Sequence, residues 1–458
     1  MMNTNRVAII GAGPAGLTVA RALKTLNIPF RVYEKHSEVG GIWDITNPGT
    51  PMYESAHFIS SKTMSGHIGF PMPDSFPDYP SRTQIHEYIQ HFARESGLYE
   101  HIQFNAKIKK VEFKDELWQI QPEGESTINY RWLVCASGSL WDPNRPHLKG
   151  EEQFGGEVIH AVKYKNSDYL RDKRVLVIGA GNSGVDIACD AAFMAKQAFI
   201  SMRRGYHFVP KHLFGMPTDV FARKTGSGPM WLSQWMFGKI LRLLTGNLTR
   251  LGLQKPDHPV MSSHPIMNSQ LLHYLQHGDV IAKQDIDHLT KNKVVFKDGS
   301  AEEIDLIILA TGYKYTIPYL DKGFFEWKGN RPQLFLKMFN PKHPTLFGNG
   351  YLETNGGIYG MLDQTAYLIA RNIEAQLNDP ELAKKIIAHT QQPPADLGGS
   401  IKFVSSDRHT GYVDKDTYLK ALKRFRKKWG WAPLESVLMQ QNRLKQQTTE
   451  VTPEKALA

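Results

Sequence analysis

Short apolar runs rich in β-branched residues recur along the chain: "RVAII", "FRVY", "RWLVC", "KRVLVI", "AFIS" and "IDLIIL". Their length and composition read as strands. Between the first two lies "GLTVARALKTL", with apolar positions at helical spacing. "GVDIACDAAFMA" holds the same place between "KRVLVI" and "AFIS". Strand, helix and strand in succession, twice, predict an α/β protein. The longest apolar helical stretch, "PMWLSQWMFGKILRLLTGNLTRLG" (229–252), is interrupted by Lys239, Arg242 and Arg250. It falls short of the roughly 20 uninterrupted apolar residues of a membrane span. Two readings remain for it, a helix packed on a nucleotide domain or an amphipathic helix lying on a surface, and the first is preferred.

The turns after the strands carry the chemistry. After Ile10 comes "GAGPAG", with Gly11, Gly13 and Gly16 opening a helix through Pro14 and Ala15. Gly11 suits a tight turn, Gly13 lets backbone meet a pyrophosphate, and Gly16 allows close helix–strand packing. The helix amino end offers unpaired N–H groups and a positive dipole end. The next strand delivers Glu34, placed to accept hydrogen bonds from a ribose diol. Downstream, Gly41, Ile42 and Trp43 suggest backbone pressed against a flat ring, with a buried structural Trp as the plainer reading. The pattern repeats as "GAGNSG", with Gly179, Gly181, Asn182, Ser183 and Gly184. Here the following strand ends in Arg203 and Arg204 instead of an acid. An arginine pair at that position suits a 2′-phosphate through charge-assisted bonds, which favours NADPH over NADH. Thr311 and Gly312, in "ATGY", mark the chain's return to the first domain.

The expected architecture is therefore two Rossmann-like dinucleotide-binding domains, the NADPH domain inserted into the FAD domain. Residues 1–150 begin the FAD domain, 151–310 form the insertion, 311–440 complete the first domain, and 441–458 form a polar, mobile tail. Composition adds little beyond this. With 458 residues and a formal net charge of +10, the chain is basic, but its cations are scattered and no nucleic-acid module is legible. The amino-terminal run reads as a strand rather than a signal peptide. Cys135 and Cys189 read as small buried residues, with no metal site and no redox pair, in keeping with a reducing cytoplasm.

One stretch fits no simple element: "EQFGGEVIHAVKY", just before the second glycine motif. Its Phe154, Gly156, His160 and Tyr164, taken with both glycine motifs, resemble the flavin-containing monooxygenases, group B flavoproteins related to the Baeyer–Villiger monooxygenases. The family fingerprint is Phe-x-Gly-x-x-x-His-x-x-x-Tyr/Phe, and the related enzymes carry Trp at the last position. "SMRRGYHFVPK", "KPDHPVMSSHPIMNSQLLHYLQHGD" and "ATGYKY" also look like family segments. The resemblance implies FAD, NADPH and O2 as reactants, with oxygen transferred to a sulfide or amine through a flavin hydroperoxide. A homodimer is compatible with a protein of this type. By the same analogy His160 positions the cofactor and domains, with a plain structural histidine as the other reading. The amino end of a helix in "IYGMLDQTAYLIARNI", near Asp363 and Gln364, would face the flavin, with a plain packing helix as the other reading.

The resemblance also exposes a departure. Where the family has Asn in Asn-x-x-Lys-x-Met, this chain has "ISSKTM", with Ile59 in place of Asn, followed by Ser60 and Ser61. An apolar side chain cannot donate the amide hydrogen bonds expected there, and Ser60, Ser61 or His57 would have to substitute. That departure supports a second reading, an uncoupled NADPH oxidase releasing H2O2. Ketone oxygenation, or a flavin-bearing binding protein without turnover, are further alternatives. A disulfide reductase is rejected for want of a cysteine pair.

Overall fold

The computed structural model describes residues 4–225, 230–393, 395–404 and 411–450. Ten strands build two parallel sheets. In chain order they are β1 (Val7–Ile10), β2 (Phe30–Tyr33), β3 (Ile102–Gln103), β4 (Trp132–Cys135), β5 (Glu157–His160), β6 (Arg174–Ile178), β7 (Gln197–Ser201), β8 (Val280–Lys283), β9 (Leu306–Leu309) and β10 (Leu346–Gly348). The first sheet has the order β10-β4-β1-β2-β3 and the second β8-β7-β6-β9-β5. All neighbours in both are parallel.

Parallel strands need crossovers and so are covered on both faces, which is why they read as unbroken apolar runs. Side-chain alternation divides each strand between two cores. Val7, Ile9, Trp132 and Val134 join the helical side of the first sheet. Ala8, Ile10, Leu133 and Cys135 join the opposite side, under an antiparallel sheet containing Ile108–Lys114 and Leu117–Pro122. In the second sheet Val175, Val177 and Ile200 face one way, and Leu176, Phe199 and Ile307 the other.

Five helices position the site and its surroundings: α1 (Pro14–Thr25), α2 (Asn182–Met194), α3 (Met230–Thr245), α4 (Tyr359–Asn378) and α5 (Leu434–Glu450). The chain passes from the first sheet to the second near Asp142–Pro143 and returns at Tyr313–Lys314, and these two crossings pair antiparallel. Both cysteines are buried and free, and burial pushes each thiol up to about 12. No described helix is long and apolar enough to cross a membrane.

The carboxy-terminal end corrects one expectation. Instead of a polar tail beginning at 441, α5 continues to Glu450. Gln441 donates from its side-chain amide to the Thr25 carbonyl at 2.7 Å, so the helix is tied to the end of α1. Residues 451–458 lie outside the described residues.

Candidate active site

Each glycine motif opens a helix directly after a strand, and the packing tells the glycines apart. Gly11 has φ +107°, and a Cβ there would come 2.6 Å from the Ala136 carbonyl oxygen. A Cβ on Gly16 would overlap the Gly11 carbonyl oxygen itself. Gly13 faces Gly41, whose Cα would lie 3.4 Å from an added Cβ, so two bare backbones meet at the amino end of α1. Pro14 occupies the first turn, where its missing N–H costs nothing. Ala15 lies against Gly350. Glu34 is buried. It accepts from the Ala12 N–H at 2.7 Å and the His36 N–H at 2.9 Å, and burial raises its carboxyl above the usual range. Gly41, Ile42 and Trp43 form one tight helical turn, with Trp43 buried against Phe58, ring centroids 5.2 Å apart.

The second motif repeats this geometry with a difference. Gly179 has φ +104°, and a Cβ on Gly184 would overlap the Gly179 carbonyl oxygen. Gly181 and Gly312, in contrast, face open space. Asn182 accepts from the Met267 N–H at 3.0 Å, and Ser183 stands beside the Tyr53 hydroxyl. Arg203 is exposed just past β7, and Arg204 lies half-buried over the Tyr206 ring. Neither forms an ion pair among the described residues. Thr311 donates to the Asn144 carbonyl at 2.6 Å. Backbone is thus open at Gly181 and Gly312, and Arg203 and Arg204 stand without ion pairs among the described residues.

The junction segment acts as a fastening. Phe154 packs into the second core, and Gly156 is needed because a Cβ would strike the Phe154 ring. His160 ends β5. Its Nδ1 accepts from the Val162 N–H at 3.2 Å, so Nε2 carries the proton and donates to the Gly312 carbonyl at 3.1 Å. Burial lowers its pKa. An imidazole with both nitrogens engaged by backbone groups holds a position. Tyr164 is buried and donates to Asp190 at 2.7 Å.

Sequence reasoning missed the partners of this fastening. Asp190 also accepts from Ser55 at 2.6 Å, and Asp186 accepts from Tyr53 at 3.0 Å and Asn268 at 3.0 Å. Burial raises both carboxyls. Lys165 donates to the Thr50 and Met52 carbonyls at 2.7 and 3.1 Å. Segment 50–55, which leads toward Ile59, is thus bound to the flank of α2. The available signal was two acids four residues apart on an otherwise apolar helix, which share one face. Asn349 was missed too. It is buried and donates to the Ala15 carbonyl at 2.9 Å and to Thr18 at 3.1 Å, locking β10 to α1.

Between the two motifs lies the segment 58–66. Phe58 touches Trp43 and, at 5.5 Å, Tyr359 at the start of α4. Gly357 is pressed against the Met64 carbonyl, where no side chain would fit. Ile59 packs with Val209, Leu241, Val260 and Met267 from the other half of the chain. Ser60 accepts from Ser65 at 2.8 Å. The Ser61 N–H donates to Asp219 at 2.7 Å, while its buried hydroxyl finds no hydrogen-bond partner among the described residues. His57, on the exposed side, hydrogen-bonds the Ser55 carbonyl and no other group among the described residues.

The helix expected to face this region needs revision. Asp363 and Gln364 stand in the second turn of α4, not at its amino end. Asp363 turns inward, accepting from Arg21 at 2.7 Å and the Ile68 N–H at 2.7 Å, with His67 Nδ1 at 3.2 Å. Its carboxylate is spent on holding α1, α4 and segment 67–68 together. Gln364 is half-buried.

Comparison with known proteins agrees with this picture. The family described as "Flavin-binding monooxygenase-like" matches residues 4–440. Flavin-containing monooxygenase 5 of Oryctolagus cuniculus is 30% identical over 449 residues, covering 89% of this chain and 80% of the relative. The S-allyl-L-cysteine S-oxygenase structure from Allium sativum aligns with TM-score 0.64 at 19% identity, covering 98% of this chain and 94% of that one. The structure of OTEMO in complex with FAD and NADP aligns with TM-score 0.69 at 17% identity, covering 92% and 98%. The glycine turn backed by Gly41 and Glu34 fits a flavin dinucleotide, and the match spans nearly the whole chain. The chain belongs to the flavin-binding monooxygenase-like family and is an FAD-dependent monooxygenase.

Proposed function

We propose that the protein uses NADPH and O2 to oxygenate a soft nucleophile, a sulfide or amine. The reading rests on one observation above all: two separately built glycine turns flank a single segment, 58–66, which touches both halves. The first sheet, within 1–150 and 311–440, would be the FAD domain, and the second, within 151–310, an inserted NADPH domain, each of Rossmann type. Gly11 to Gly16 would hold the flavin pyrophosphate, Glu34 the ribose, and Gly41 to Trp43 the adjoining ring system. Gly179 to Gly184 would hold the nicotinamide dinucleotide, with Arg203 and Arg204 on its 2′-phosphate and Thr311 and Gly312 along its edge. When bound, FAD supplies hydride acceptance and oxygen activation. His160 keeps the Gly312 turn in register, and the Asp186–Asp190 fastening holds the flank of α2. The apolar cluster around Ile59 keeps water from the intervening segment, and the Ser61 hydroxyl is free to bond a bound group.

Adding a thioether or tertiary amine is expected to speed NADPH oxidation and yield the oxygenated product. If H2O2 accounts for all the NADPH consumed with every such nucleophile, the oxidase reading, which Ile59 favours, replaces this one. Ile59→Asn should lower the H2O2 share, at a stability loss of about 1–3 kcal/mol for an amide placed among Val209, Leu241 and Val260. The share is read by peroxide assay and the loss by thermal melting.

Arg203→Ala tests the nucleotide assignment. Losing a charge-assisted contact to the 2′-phosphate should cut the NADPH-over-NADH preference by about tenfold to a hundredfold. An unchanged ratio of kcat/KM values would place the phosphate elsewhere.

A further inference from the structure

The charged groups gathered around Met64 are mostly cations. Arg223, on the helix Thr218–Thr225, is exposed, and its Nη1 lies 3.7 Å from the Met64 thioether sulfur. A thioether is a weak acceptor for a guanidinium with five donors. Gly357 lies against the Met64 carbonyl, and the Lys415 side chain passes over its neighbour Gly356. A Cβ on Gly356 would come 2.6 Å from Lys415 Cδ and 3.4 Å from its Nζ, so bare backbone makes room for this lysine. Lys415 is half-buried. Burial lowers its pKa, Asp219 and Asp416 oppose that shift, and the Arg223 charge adds to it. Lys62, two residues before Met64, gives its ammonium to the neutral carbonyls of Asp74 and Phe76.

Carboxylates do not balance these charges. Among the described residues neither Arg223 nor Lys415 forms an ion pair. Asp219 already accepts from the Ser61 N–H at 2.7 Å and the Val220 N–H at 2.9 Å. Asp416 is exposed. This imbalance bears on the two nucleophiles named above. An aliphatic amine is protonated at neutral pH and would bring a further cation to this place. A thioether carries no proton, so its sulfur stays neutral while an acid elsewhere on the molecule is held. Arginine can grip a carboxylate with two parallel bonds, and lysine adds a point charge.

We propose that the site takes a thioether bearing a carboxylate, which Lys415 and Arg223 hold, in preference to a protonated amine. The inference rests on the oxygenation reading above and selects between its two substrate classes.

Three probes with one thioether and different charge test it: methylthiopropanoate, methylthiopropanamide and methylthiopropylamine. Binding to the full-length FAD-loaded protein with NADP+ is read by equilibrium dialysis, and turnover by sulfoxide formation. The carboxylate should bind about tenfold tighter than the amide, and the amine weakest, with the gaps closing at high salt. Lys415→Gln and Arg223→Gln should each cut the carboxylate-to-amide ratio by about fivefold. Flavin content and melting temperature should hold in Arg223→Gln, whose side chain is exposed. Equal affinity for the three probes, or no binding of any, overturns the proposal, as does a ratio that neither substitution moves. Preferred binding of the carboxylate without sulfoxide from any probe would keep the anion site and remove the oxygenation reading. Should Lys415→Gln fail to fold, Arg223→Gln carries the test alone.

Discussion

Asp363→Ala is expected to destabilise the protein by about 3–5 kcal/mol, the usual loss when one partner of a buried charge pair is removed. The Asp363 side chain is fully buried and that of Arg21 only 11% exposed, and no other carboxylate is available to this guanidinium among the described residues. His67 would lose its partner as well, although its ring stays stacked on Phe92 and Tyr359, with centroids 4.1 and 4.7 Å away. The effect should fall on the flavin-binding half, because the carboxylate joins α1 to α4 and to the backbone of Ile68. Flavin should be released from the variant at a lower temperature, read by its fluorescence during a thermal ramp. A variant releasing flavin within a degree of the parent would mean that packing alone holds these helices.

Gly16→Ala should abolish flavin retention, and a matched change at Gly181 should not disturb the fold. The added methyl at Gly16 overlaps the Gly11 carbonyl oxygen, and backbone on both sides leaves no flexible group to yield. Moving α1 off the turn would cost at least about 3 kcal/mol and displace the N–H groups meant for the pyrophosphate. The purified variant should lack flavin absorbance. At Gly181, φ is −72° and an added Cβ meets nothing within 4 Å. Gly181→Ala should therefore melt within about 1 kcal/mol of the parent and keep its flavin, while NADP+ binding weakens. A variant at Gly181 that binds NADP+ normally would show that the ligand does not approach that backbone.

The contrast between these glycines shows how the chain can be read. Strand, turn and helix are local, so Gly11, Gly16, Gly179 and Gly184 announce their roles through spacing alone. What joins distant segments left little trace. Asp363 reads as an acid in the early part of a helix, and only the fold brings Arg21, more than three hundred residues away, into contact with it. Tyr53 and Ser55 sit in a stretch without periodicity, and their partners Asp186 and Asp190 show only as paired acids on an apolar helix. Ile59 was legible as a departure from a motif, but not as a member of an apolar cluster drawn from four other segments. The outer face of α3 was half legible: its interrupting cations were plain, and the direction each side chain takes was not.

The side-by-side crossings also bear on how the chain reaches its native state. Strands β5 and β9 are neighbours, so the excursion between them begins and ends at one place on the second sheet. Strand β10 must find β4 across about 200 residues, and if the excursion is already formed the effective loop shrinks to about 60, easing closure by about 1 kcal/mol. During synthesis the second sheet is complete once Leu309 has left the ribosome, while the first still waits for Gly348. The later-starting sheet can thus finish first and act as the template on which the earlier one closes.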